Sequence, residues 1–359
     1  MARALIIGAG AIGRGYLPWE LKDLIIDFYD TNEALIDSLN KNKTFTSFMS
    51  FGGRLKELRV TAENFYSNTD DIDFTKYDIA FICIGPRNLK FLDVKFKELS
   101  CPLFSLENDD ALVFFLRDYL GKDDIFFGVP DVITSLTASP INLINDPNSL
   151  HTENGVLYLE DNNSIDSDIK LSLPNINWID KERMMKEWDA KLYIHNTPHC
   201  IAAFYGHLNQ CTYLHEALEI DYVKDELFGV VDEVLQTLKV KTNYEHKFLE
   251  WYAEKEISRF ANVHLFDPIS RVGREPLRKL KPGGRLLGIM TMALESGIVP
   301  IHLSRGIAAA LHYDLKSDPD NLVIRNIENM GIDAFLRYMI KVDPKTIQGK
   351  MIKDAYEQF

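Results

Sequence analysis

A short apolar run at residues 4–7 (ALII) feeds directly into Gly8-Ala9-Gly10-Ala11-Ile12-Gly13, and few sequence features restrict a fold more. A strand entering G-x-G-x-x-G and leaving as a helix is the cradle of a dinucleotide pyrophosphate. The first glycine permits a tight turn, the second lets phosphate approach the backbone, and the third lets helix and strand pack closely. Gly8, Gly10, Ala11, Ile12 and Gly13 are therefore candidate cofactor residues. A second strand, DLIIDFYD at 23–30, ends in Asp30, twenty residues beyond Gly10. A carboxylate there suits the adenosine ribose hydroxyls and repels a 2′-phosphate, so NAD is expected in preference to NADP.

The pattern continues as an α/β domain. Residues 31–40 should be helical, and 43–67, with Gly52-Gly53 at a turn, should form an inserted β-meander. YDIAFICIG (77–85) suits a buried parallel strand. It ends in Gly85-Pro86-Arg87-Asn88, placing Gly85 and Pro86 at the edge where ligands bind in such sheets. CPLFSLEND (101–109) should deliver Glu107 and Asn108 to the same edge, and IFFGV (125–129) is a further strand. Residues 151–174 mix short strands, GVLYLED and DIKLSL, with polar loops, and helical patterning begins between 180 and 187. The domains expected are 1–185 for the cofactor and 186–359 for a helical substrate-binding part. Thr197-Pro198 reads as an N-cap and first-turn pair for a helix at 198–209. Further helices are expected at 211–239, 243–260, 285–296, 300–312, 322–339 and 344–358.

Composition narrows the function. With 359 residues, 46% of them apolar, the chain can bury a large core. A net charge of −13 without a basic run argues against nucleic acid and anionic membrane surfaces. Four scattered cysteines fit a reducing compartment, and no segment approaches the roughly 20 apolar residues of a membrane span, so a cytoplasmic location is expected.

KLYIHNTPH (191–199) carries the residue types for a carbinol–ketone reaction. An alcohol losing hydride must also lose its proton, and a base within hydrogen-bond reach takes it. The Lys191 amine becomes such a base if burial disfavours its charged form, while Asn196 and His199 can hydrogen-bond to oxygen. His195, His199, Cys200, His207, Cys211 and His215 crowd the same region, with His207, Cys211 and His215 spaced for one helix face. Without a CxxC pair or HExxH, that stripe reads as packing, and no metal is expected. Arg271, Arg274, Arg278, Lys279 and Arg285 concentrate positive charge in an acidic chain. Arg274 and Arg278 fall one turn apart if helical, which suits a phosphate.

Taken together, the chain resembles the polyol-specific long-chain dehydrogenase/reductase family over nearly its whole length. The family's K-x4-N-x2-H is matched by Lys191, Asn196 and His199, and its R-F-x-N by Arg259, Phe260 and Asn262. A phosphate-using member is similar again at GAGxIGRG, Asp30, 271–280, 284–286 and 304–313. The resemblance implies a modified Rossmann domain and a mostly α-helical C-terminal domain like that of 6-phosphogluconate dehydrogenase. It implies Lys191 as general acid/base, Asn196 and His199 holding the reacting oxygen, and Asn108 orienting substrate or lysine. Arg259, Asn262, Arg274, Arg278 and Lys279 are the expected substrate-binding residues. The reaction implied is zinc-independent and NAD-linked, between a sugar-alcohol phosphate and a ketose phosphate, with mannitol 1-phosphate and fructose 6-phosphate first. An unphosphorylated polyol or a sugar acid as substrate, or a non-catalytic NAD(H)-sensing role, are the alternatives. A monomer or weak oligomer is expected. Pro198 departs from the glycine usual in that member. In a first helical turn it is harmless, but deeper in a helix it would cost roughly 3 kcal/mol.

Overall fold

The computed structural model describes every residue except Gly52, Gly53 and Asn108. By backbone packing the chain divides into two units. One comprises Met1–Trp188 with His264–Phe266, the other Asp189–Val263 with Asp267–Phe359.

The first unit is built on an eight-stranded sheet. Its strands are β1 (Arg3–Ile7), β2 (Ile25–Tyr29), β5 (Phe65–Tyr66), β6 (Ile79–Ile82), β7 (Leu103–Ser105), β8 (Ile125–Asp131), β10 (Val156–Glu160) and β11 (Asn177–Ile179), in the order β11-β10-β8-β7-β6-β1-β2-β5. Every pairing is parallel except β8 with β10. Central strands are buried on both faces, which is why β1, β6 and β7 read as unbroken apolar runs rather than alternating ones. The carboxyl ends of β1, β6 and β7 bring Gly8, the Cys83–Gly85 turn and Glu107 to one edge. A smaller sheet, β4-β3-β9, joins the antiparallel pair β3 (Thr44–Phe51) and β4 (Arg54–Thr61) to β9 (Leu150–Glu153). DIKLSL forms no strand. Asp166 accepts from the Asp168 N–H at 2.8 Å and caps a helix, Ser167–Leu171, so a local cap decides a stretch too short for periodicity to assign.

Helices make up the second unit. Asn196–Leu208 is buried from Asn196 to Gly206 and is hydrophobic almost all round, the signature of a core helix. It packs on Ile301–Leu311, where a Cβ on Gly306 would come within 2.5 Å of Ile201, so glycine permits the close approach. The helices Asp221–Lys241, His246–Phe260, Leu287–Glu295 and Ile347–Tyr356 surround it. The stretch expected as one helix at 211–239 is two, Leu214–Ala217 and Asp221–Lys241; Glu216 accepts from the Thr212 and Tyr213 N–H groups and starts the first separately.

Thr197-Pro198 is not a helix start, because residues 190–195 are already helical in wide π turns that run into Asn196–Leu208. A proline has no N–H for the carbonyl one α-turn back and crowds it. A π turn just before it loosens that contact, and such insertions recur at functional sites.

Candidate functional site

In the first unit the glycine loop supplies a cradle. Gly8 has φ +110, and a Cβ there would lie 2.6 Å from the Cys83 carbonyl oxygen; a Cβ on Gly13 would meet the Gly8 oxygen. At Gly10 a Cβ would meet nothing within 4 Å, so this peptide faces open space. The helix after the loop is irregular, with π turns over Ala11–Tyr16 and one α turn over Leu17–Glu20. Asp30 ties the loop down. Its carboxylate accepts from the Ala9 N–H at 2.8 Å and the Asn32 N–H at 2.9 Å. Gly8, Gly10 and Asp30 line a cavity of about 400 Å³ with Tyr29, Ile84 and Asn88.

Gly85 opens the turn at the end of β6 with φ +89, and Pro86 starts a 3₁₀ turn, Pro86–Phe91. Buried Glu107 accepts from the Gly85 N–H at 2.8 Å, which holds that turn against β7. Asn108 lies outside the described residues.

In the second unit the π turn sets the register of the K-x4-N-x2-H residues. In an α-helix, positions five apart point roughly 140° from one another. Here the Asn196 N–H donates to the Lys191 carbonyl, an i to i+5 bond that stacks Asn196 beneath Lys191. His199 follows one turn on. All three are buried, at 5%, 8% and 8% exposure respectively. Asn196 Nδ2 is buried and has no hydrogen-bond partner among the described residues. An unsatisfied buried donor costs about 1–3 kcal/mol, so a missing acceptor is implied.

A carboxylate lies beside each histidine. His199 Nε2 lies 3.3 Å from Asp267 Oδ2, and Arg271 grips the Asp267 carboxylate with two bonds of 2.7 Å. Burial pushes the Asp267 acid up, but Arg271 and His199 outweigh it and hold it at about 2. Burial lowers the His199 pKa, with Asp267 pulling the other way. The His199 ring stacks on Phe260 at 5.0 Å and 11°. His195 pairs with buried Glu256, which Arg259 also engages; burial again lowers the imidazole. Asn262 follows the end of that helix, its N–H on the Arg259 carbonyl at 3.1 Å. Asp267 and Glu256 escaped the sequence reading, although the spacings Asp267–Arg271 and Glu256–Arg259 are those of helical ion pairs.

The five cations divide. Arg271 serves Asp267. Arg274 is exposed and precedes the short helix Pro276–Lys279, so Arg274 and Arg278 are not a turn apart. The reason is Glu275, whose φ of +59 breaks the helix before Pro276 restarts it. Arg278 bonds Glu275 at 2.8 Å. Lys279, 3% exposed, donates to the Arg274 carbonyl. Its desolvation, opposed by Cys200 and reinforced by Arg285 and Arg278, brings its pKa down to about 7. The Arg285 carbonyl accepts from Thr197 Oγ1 at 2.6 Å, so this cationic cluster abuts the helix of Asn196 and His199. The His/Cys stripe does not converge: His207 bonds Asp314 at 3.0 Å, and His215 stacks on Tyr213.

Residues 185–334 match the mannitol dehydrogenase C-terminal domain. The chain is 28% identical over 384 residues to mannitol-1-phosphate 5-dehydrogenase of Caldanaerobacter subterraneus subsp. tengcongensis, covering 99% of this chain and 98% of that protein. Among solved structures, the ternary complex of Pseudomonas fluorescens mannitol 2-dehydrogenase with NAD and D-mannitol superposes with a TM-score of 0.81 at 13% identity. That match covers 99% of this chain and 91% of the other. A D-sorbitol dehydrogenase in substrate-free form gives a TM-score of 0.66 at 15% identity, over 86% and 79% of the two chains. With a Rossmann-like sheet in one unit and, in the other, a match to the mannitol dehydrogenase C-terminal domain over residues 185–334, the chain is similar along nearly its whole length to mannitol-type polyol dehydrogenases.

Proposed function

We propose that this chain is an NAD-dependent polyol-phosphate dehydrogenase that interconverts mannitol 1-phosphate and fructose 6-phosphate with Lys191 as the general acid/base. One observation carries the reading: the unpartnered, buried Asn196 Nδ2, stacked one π turn from buried Lys191. When bound, the dinucleotide supplies a nicotinamide that exchanges hydride with the carbinol carbon. The residues that would hold it are Gly8, Gly10, Ala11, Ile12, Gly13 and Asp30, with Gly85 and Pro86 at the sheet edge. The open space over Gly10 and the ordered Asp30 carboxylate suit that group.

Lys191 takes the hydroxyl proton during oxidation and returns it during reduction. Asn196 Nδ2 donates to the same oxygen, strongest as negative charge develops there. The Asp267 carboxylate only accepts, so His199 keeps its proton on Nε2 and offers Nδ1 as an acceptor for a polyol hydroxyl. Arg259 and Asn262 would complete the polyol site, and Arg274, Arg278 and Lys279 the phosphate end, Lys279 being the buried one of the three. The relative's printed activity supports the phosphorylated substrate.

The test is a panel of fructose 6-phosphate, free fructose and a keto sugar acid with NADH and with NADPH, followed at the nicotinamide absorbance. The reading expects turnover with fructose 6-phosphate and NADH at least a hundredfold above the others. Equal or better turnover on free fructose would shift the assignment to an unphosphorylated polyol, the substrate named for the mannitol 2-dehydrogenase of similar fold. NADH binding without turnover on any of them would leave a sensing role.

A further inference from the structure

We propose that Arg14 is the buried counter-charge for the diphosphate of the bound dinucleotide, an inference that rests on the cofactor reading above. Arg14 leaves the glycine loop and turns back beneath it, 6% exposed. Its Nε donates to the Ala9 carbonyl and its Nη1 to the Asn148 carbonyl, both at 2.6 Å. Phe45 lies under the guanidinium at 5.7 Å. Every one of these partners is uncharged. Among the described residues no carboxylate makes an ion pair with Arg14; Asp30 and Asp146 reach it only through longer-range attraction, and burial brings its pKa down to about 10.

A buried charge without an opposite partner is costly, and proteins keep one where something else supplies that partner. Asp30 makes no ion pair with Arg14; its two oxygens accept instead from the Ala9 and Asn32 N–H groups. The peptides around Ala9 are thus held from two sides, the N–H by an anion and the C=O by a cation. Next to them Gly10 faces empty space. A diphosphate laid over Gly10 brings the negative charge that the protein withholds from Arg14. Arginine suits the task better than lysine because it stays protonated at a depth where burial is already working against it.

The experiment separates this from a strut that merely holds the loop. Dissociation constants for NADH, ADP and adenosine are measured on the unchanged chain, on Arg14→Gln and on Arg14→Lys. Loss of the counter-charge raises the constants for NADH and ADP about tenfold or more in Arg14→Gln, leaves adenosine unaltered, and is partly restored in Arg14→Lys, more so at low pH where the buried amine carries its charge. Weakening of adenosine as large as that of ADP, or no weakening of either, overturns the proposal. Should Arg14→Gln not fold, the Arg14 Nε–H resonance of the unchanged chain, assigned through Arg14→Lys, gives the same answer. It moves with ADP and stays still with adenosine, and an identical response to both contradicts the proposal. An unchanged chain that binds neither NADH nor ADP overturns the cofactor reading along with this one.

Discussion

At the scale of single residues, the second unit places two carboxylates behind two histidines, and the consequence is clearest at Asp267. Its proton is lost more readily in the folded chain, at about 2, than from an ordinary aspartate near 3.8. The stabilisation is therefore complete above about pH 4 and disappears as pH falls from there toward 2. A shift of that size is worth about 2 kcal/mol. Asp267→Asn should flatten the acid limb of stability in that window, as read by denaturant unfolding at several pH values. The same variant frees His199 to take either tautomer. Turnover should drop roughly a hundredfold or more while NADH affinity holds; unchanged turnover would remove Asp267 from the site.

At the scale of elements, the π turn at residues 190–195 and the restart at Pro276 are the decisive features, and neither was legible. The first unit was easier to read. Buried parallel strands are unbroken apolar runs, and β1, β2, β6 and the glycine loop announce themselves by composition and spacing. A π turn has no such signature: K-x4-N-x2-H looks like residues strung before a cap until the i to i+5 bond is seen. The arginine spacing misled because a left-handed Glu275 is invisible in a list of residue types. Lys279 carries the prediction at this scale. Held near 7 by burial and by the neighbouring Arg285 and Arg278, it loses its charge as pH rises above that value. The KM for a polyol phosphate should climb between pH 7 and 9 while that for NADH stays flat. Lys279→Met should abolish the slope and selectively weaken the phosphorylated substrate. A pH-independent KM would assign phosphate to other residues.

At the scale of the whole molecule, a ligand that binds only the folded chain stabilises it by mass action. NADH at a hundred times its dissociation constant adds about 2.7 kcal/mol, and thermal unfolding should rise by several degrees. NADPH at equal concentration should give a smaller rise if Asp30 repels a 2′-phosphate. Equal shifts would withdraw the preference for NAD. Against a net charge of −13, a phosphorylated substrate as proposed above would be drawn by the local cationic cluster, so raising ionic strength should weaken that substrate more than a neutral polyol.

The central claim is that a buried amine moves the proton. The direct measurement is single-turnover reduction of fructose 6-phosphate by NADH with Lys191→Ala, alongside NADH titration of the same variant. The account predicts hydride transfer slowed by about three orders of magnitude or more, with NADH bound as tightly as before. Transfer at near the unchanged rate would take Lys191 out of the chemistry, and the mechanism with it.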